Sequence, residues 1–165
     1  MIFVTVGAQI PFDRLCQTID AWAGKHTRRD IFAQIGSTTW KPKHFDYEKF
    51  LNPLDFRERL KTAAIIVAHA GMGTIITALE YGKPIIVMPR SGELHETRNN
   101  HQIATAENLR SSGRVIVAMD EAELTVKLEC IDEIKGGQKI ATTADPRLIA
   151  AIRSFGLGES VPAVR

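Results

Sequence analysis

Six consecutive residues, His69-Ala70-Gly71-Met72-Gly73-Thr74, concentrate the groups best suited to handling a charged ligand. They follow an unbroken apolar run, Ile65-Ile66-Val67-Ala68, and precede Ile75 to Tyr81, a helix closed by Gly82. Glycines let a backbone approach a ligand closely, and the next helix offers unpaired N–H groups at its positive end. That combination is an anion cradle suited to a diphosphate, with the Thr74 hydroxyl as a further donor. The same glycines also serve to pack a strand tightly against its helix. Residue types alone leave both roles open.

Two further turns could lend amides or hydroxyls to the same ligand: Gly7-Ala8-Gln9-Ile10-Pro11 and Gly36-Ser37-Thr38-Thr39. Turn chemistry by itself accounts for either. A fourth segment, Arg90 to Gln102, is unusually polar for a link between a strand and a helix, and loops of this kind carry function. Asn100, His101 and Gln102 stand at a helix start, where they could reach sugar hydroxyls or phosphate; capping by Asn99 or Asn100 is the competing role. Other chemistries lack their residues. No G-x-S-x-G or Q-A-C-x-G surrounds Ser91 or Cys16, and no H-E-x-x-H or C-x-x-C points to a metal. The first turn has Gly7 alone instead of G-x-G-x-x-G, so no nicotinamide or flavin signature is present.

The elements that must position these residues are short apolar strands alternating with helices. Ile2 to Val6, Asp30 to Ile35, Ile65 to Ala68, Pro84 to Met88 and Val115 to Val117 read as buried strands, with a shorter one around Phe45 to Phe50. Helices are expected from Phe12 to Gly24, from Pro53 through Ala64, from Asn99 or Asn100 to Gly113, from Glu121 to Ile134, and from Asp145-Pro146 through Phe155. Strands apolar throughout call for a parallel sheet covered on both faces, hence one doubly wound, Rossmann-like α/β domain. It spans residues 1–155, with 156–165 as a loose tail.

At 165 residues the chain can bury roughly 70% of its unfolded surface. The net charge of +2 is too small for a protein that lives on nucleic-acid phosphates. Two cysteines build no disulfide framework. No basic segment precedes Ile2–Gly7 and no apolar run approaches the ~20 residues of a membrane span, so a cytoplasmic protein with peripheral membrane contact at most is expected. Lys25-His26-Thr27-Arg28-Arg29 and Lys41-Pro42-Lys43-His44 are basic stretches, either solvated faces or, for the first, a surface turned to an anionic membrane.

In order along the chain stand Thr5-Val6-Gly7 with Phe12-Asp13, then His69-Ala70-Gly71-Met72-Gly73-Thr74, Gly82-Lys83-Pro84 and Asn100-His101-Gln102. This succession resembles the family of the nucleotide-sugar-binding half of the peptidoglycan N-acetylglucosaminyltransferase. It is similar in size to the small stand-alone subunits of that family, found in dolichol-linked oligosaccharide synthesis and in bacterial exopolysaccharide systems. The resemblance implies the C-terminal half of a GT-B glycosyltransferase, and the length leaves room for that half only. It implies a donor subunit that transfers a sugar, with inversion, from a UDP-sugar to a lipid-diphosphate-linked acceptor in bacterial surface polysaccharide synthesis. The acceptor half, with the general base, would be a membrane-anchored partner that recruits this chain to the inner face of the membrane and without which it is inactive. A homodimer is the expectation for the isolated chain.

By the same resemblance Gly71, Met72, Gly73 and Thr74 would hold the diphosphate, with His69 beside them. Gly7 and Ala8 would approach the diphosphate or the sugar, Leu51 would border the base, and Asn100, His101 and Gln102 would face the sugar. No cofactor and no obligatory metal are implied. One departure stands out: many relatives carry a ribose-binding glutamate where this chain has Thr77, and the nearest acid is Glu80, one helical step of three further on. Two other classes compete with this expectation. One is a stand-alone nucleotide-binding enzyme; the other is a non-catalytic scaffold in which the glycine turn only packs.

Overall fold

Side chains in a parallel sheet alternate between two covered faces, and this chain places an apolar residue on nearly every one. The computed structural model describes residues 1–137, 139–141 and 143–158. It contains strands β1 (Ile2–Thr5), β2 (Ile31–Gln34), β3 (Asp46–Glu48), β4 (Ile65–His69), β5 (Ile85–Met88) and β6 (Ile116–Val117). The helices are α1 (Asp13–Lys25), α2 (Pro53–Thr62), α3 (Met72–Glu80), α4 (His101–Ser112), α5 (Glu121–Glu129) and α6 (Pro146–Gly156).

All strand pairs are parallel and the order is β3-β2-β1-β4-β5-β6, the doubly wound arrangement expected. In register, Ile2 lies between Ile31 and Ile65, and Thr5 between Gln34 and Ala68. Val4, Ile65, Val67, Ile86 and Met88 point to one face, where α1 supplies Leu15, Ile19 and Trp22 and α5 supplies Leu124 and Leu128. Phe3, Ile66, Ala68, Ile85 and Val87 point to the other, against Leu60 of α2, Ile75 and Leu79 of α3, and Ala106 of α4.

Three boundaries differ from expectation. The helix after β4 begins at Met72, not Ile75, because Gly71 takes an extended conformation and serves as the N-cap without a side-chain bond. The expected 121–134 helix is two pieces, α5 and a 3₁₀ turn at Ile131–Glu133, yet Leu124, Leu128 and Ile131 all remain in one core. The third strand is confined to Asp46–Glu48. The expected last helix is α6, and residues 159–165 of the expected tail lie outside the described residues.

The basic run that begins at the last residue of α1 is turned onto the chain's own carboxylates. Lys25 and His26 bond to Glu129, and Arg28 reaches both Asp30 and Asp132. Two of its cations, Lys25 and Arg28, are thus paired with carboxylates, and Lys25 remains largely exposed. Among the described residues no helix is long and apolar enough to cross a membrane.

Candidate functional site

The order of strands reverses between β1 and β4, and a doubly wound sheet binds its ligand in the crevice beyond the carboxyl ends of such a pair. Here the flanking segments are Val6 to Phe12 after β1 and, at the end of β4, His69 followed by Ala70 and Gly71. Between them lies the His69 imidazole. A Cβ added to Gly7 would sit 2.8 Å from His69 Cε1, and one on Gly71 would sit 2.1 Å from Nε2. Gly7 also has φ +76°, which side-chain-bearing residues rarely adopt. Gly7 and Gly71 are thus both accounted for by one ring.

Gly73 is different. Among the described residues, no neighbour outside its own helix turn lies within 4 Å of where its Cβ would be. It occupies the first turn of α3, where the amides of Met72, Gly73 and Thr74 lack intrahelical acceptors by helix geometry. Ile75 N is bonded to Gly71 O at 3.2 Å, no acidic residue stands in that turn, and Met72 is half-exposed. The helix therefore presents an uncompensated positive end with open space above its one helical glycine. Thr74 is buried. Thr77 donates its hydroxyl to Gly73 O at 2.8 Å. Glu80 closes α3 at the far end, about 10 Å along the axis from Gly73 at 1.5 Å per residue.

His69 is neutral. Burial, and next the charge of Arg90, lower its pKa to about 4, and Nδ1 has no partner. Cys16 is no nucleophile, since burial pushes its thiol up to about 12. Arg90 is 4% exposed. Its Nη2 donates to Val6 O at 2.7 Å and to Ile10 O, and its backbone amide donates to Gln102 Oε1 at 3.2 Å. Arg14 of α1 holds both Glu96 oxygens, at 2.7 and 2.8 Å, and reaches Glu121 and Pro89 O. Glu96 in turn accepts from Ser91 N. The polar segment after β5 is thereby fastened to α1.

The Asn-His-Gln trio divides. Asn100 is at the N-cap position but accepts from Gly92 N at 2.8 Å and makes no cap bond of its own, while Asn99 accepts from His101 N at 3.3 Å. The capping role thus falls to Asn99. His101 is exposed, with Nδ1 on Asn99 Oδ1, and Gln102 is buried. Ala8 is exposed on the loop after β1. Gly36 packs against Val6 and Pro11, joining the turn after β2 to the same edge. Leu51 follows β3 and lines a cleft of about 590 Å³ with Phe32, Phe50 and α2. β3 is two strands from β1, about 10 Å away.

The structure brings together Gly7, His69, Gly71 and, through Arg90, Gln102. It leaves Glu80 and Leu51 apart from them. Sequence reasoning does not single out Arg90 as a site residue. Its signal was an arginine directly after Pro89, at the carboxyl end of an otherwise apolar strand. Arg14 and Glu96 carry no local signal, being 82 residues apart.

Residues 1–136 match the glycosyltransferase family 28 C-terminal domain. The UDP-N-acetylglucosamine transferase subunit ALG13 of Homo sapiens is 31% identical over 124 residues, 69% of this chain and 10% of that protein. The chain spans about a tenth of the length of the mammalian relatives it matches. The solution structure of ALG13 superposes with TM-score 0.59 at 17% identity, covering 86% of this chain and 90% of that one. The crystal structure of the glycotransferase of kitacinnamycin gives 0.58 at 20%, covering 79% and 34%. The fold is that of the C-terminal half of a GT-B glycosyltransferase.

Proposed function

The chain belongs to the family of the glycosyltransferase family 28 C-terminal domain, and from that premise we propose that it is the donor-binding half of a two-part inverting glycosyltransferase. The donor is a UDP-sugar, as the name of the ALG13 relatives suggests. The acceptor is a lipid-diphosphate-linked sugar in bacterial surface polysaccharide synthesis. It is held by a membrane-anchored subunit that recruits this cytoplasmic chain to the inner membrane face.

The observation that carries this reading is the open space over Gly73 at the uncompensated N-terminus of α3. Packing explains Gly7 and Gly71 but not Gly73. A helical glycine costs about 1 kcal/mol relative to alanine, and here no neighbour requires it. A diphosphate seated on the Met72, Gly73 and Thr74 amides would require it. As the glycosidic bond to the donor breaks, negative charge grows on the departing UDP, and those fixed amides stabilise it without an obligatory metal. The acceptor hydroxyl must lose a proton to a base. His69, partly buried beside the turn and with its pKa lowered to about 4, is too weak a base for that step, and the base is assigned to the partner.

Calorimetric titration of the purified chain with UDP, GDP, ADP and UDP-sugars tests the reading. Selective UDP binding, abolished in Gly73→Asp, supports it, with sugar transfer only after the acceptor subunit is added. Turnover by the chain alone, or nucleotide binding indifferent to Gly73→Asp, refutes it.

A further inference from the structure

Segments assigned to the donor site meet at one residue, through its side chain and its backbone amide, that the family resemblance does not single out. Arg90 leaves the carboxyl end of β5 and is almost wholly buried. With a single NH₂ group it bonds to Val6 O, just before Gly7, and to Ile10 O, just after the exposed Ala8-Gln9 pair. Its backbone amide is held by Gln102 in the first turn of α4. The Phe12 ring lies 5.3 Å from the guanidinium and closes the clasp from the α1 side.

Packing alone is a poor reason for this residue. A buried guanidinium is costly unless compensated, and an apolar side chain of similar size would fill the space more favourably. Glu96, the carboxylate that acts on Arg90 through space, has its oxygens committed to Arg14 and Ser91 N, and Arg90 Nε is buried without a partner. What an arginine does here and an apolar residue does not is reach two carbonyls, four residues apart, from the end of a strand two places away in the sheet.

We propose that Arg90 is the positioning residue of the donor site, clasping the loop after β1 at both ends so that Gly7 and Ala8 face the glycine turn in a fixed register. The inference rests on reading this crevice as a nucleotide-sugar site. Arg90 touches no reacting atom; it acts through the backbone of the 7–10 loop.

Arg90→Met and Arg90→Lys in the full chain, followed by amide NMR, imidazole NMR and calorimetry with UDP, test it. In both variants the Gly7, Ala8 and Gln9 amides should lose their single ordered set of signals. UDP should bind about tenfold more weakly or worse, the equivalent of losing one hydrogen bond to a charged group. Lysine keeps the charge but not the two-carbonyl reach. The His69 titration should therefore stay low in Arg90→Lys and rise in Arg90→Met, showing that the charge survives where the clasp does not. Wild-type UDP affinity in Arg90→Lys, or unchanged loop amides in Arg90→Met, overturns the proposal. If the wild-type chain binds no UDP, the donor reading fails, and the loop amides still decide the clasp.

Discussion

Replacing Gly73 with alanine separates the two explanations of the glycine turn by the sign of its effect on stability. The added methyl meets nothing within 4 Å, so no packing penalty offsets the gain in helix propensity. That gain is about 0.5–1 kcal/mol for alanine over glycine inside a helix. For a chain of this size it corresponds to a rise in Tm of about 1–4 °C. Ligand binding should move the other way. Cα–Cβ bonds tilt toward a helix's N-terminus, so the methyl leans into the space that the free amides of α3 face. A phosphate oxygen there would have to retreat from those amides, and losing one charge-assisted bond weakens UDP about tenfold, or 1.4 kcal/mol. Thermal melts paired with calorimetry on the same preparation read both quantities. A more stable variant that binds UDP as tightly as wild type removes the ligand explanation. A less stable one shows that Gly73 packs after all.

The flanking glycines should behave oppositely. Gly7→Ala and Gly71→Ala each force a Cβ into the His69 ring, at 2.8 and 2.1 Å, and should lower stability by about 1–3 kcal/mol in thermal melts. A His69→Ala background should return part of the Gly71→Ala loss, since the clashing ring is gone. Protonation of His69 gives a pH signature. Its native pKa is lowered to about 4 while the unfolded value is 6.5, so between these the unfolded state binds the extra proton. Stability from this group is therefore complete above pH 6.5 and falls as pH drops toward 4, by about 2–3 kcal/mol. Melts at pH 7.5 and 4.5 should show a smaller acid loss in His69→Gln than in wild type. Gly137→Ala places a Cβ 2.2 Å from the Lys83 carbonyl carbon, so the segment bonded to Gly82 and Leu79 must shift; faster proteolysis between 137 and 145 checks this.

The sheet was legible because strands covered on both faces read as apolar runs, unbroken in Ile65–Ala68, Ile85–Met88 and Val115–Val117 and interrupted within β1 and β2 only by Thr5 and Gln34. Helix ends were less so. The apolar spacing of α3 starts at Ile75, whereas its first turn holds Met72, Gly73 and Thr74, two of them turned outward where no apolar signal is needed. The break after α5 left no trace either, because Ile131 continues the burial of Leu124 and Leu128 even though the backbone tightens to a 3₁₀ turn. Long-range pairs are invisible to local patterns. Nothing about Lys25, His26 and Arg28 announces that Glu129 and Asp132, about a hundred residues on, would compensate them.

The glycine turn shows why its residue types could not decide its role. Gly71 and Gly73 sit two residues apart in one motif, and both are read as freedom for the backbone. In the fold they answer to different causes. Gly71, with Gly7 across the strand-order reversal, makes room for an imidazole that belongs to the chain itself. Among the described residues, Gly73 makes room for nothing the chain contains. Packing thus explains one part of the motif, and the proposed diphosphate would explain the other. His69 and Arg90 join the parts: the ring fills the floor between the two loops, and the guanidinium fixes the loop that lies over it. A donor site built this way keeps its rigid elements inside the chain and leaves α3's free amides facing outward, the side on which a second subunit would have to bring the acceptor.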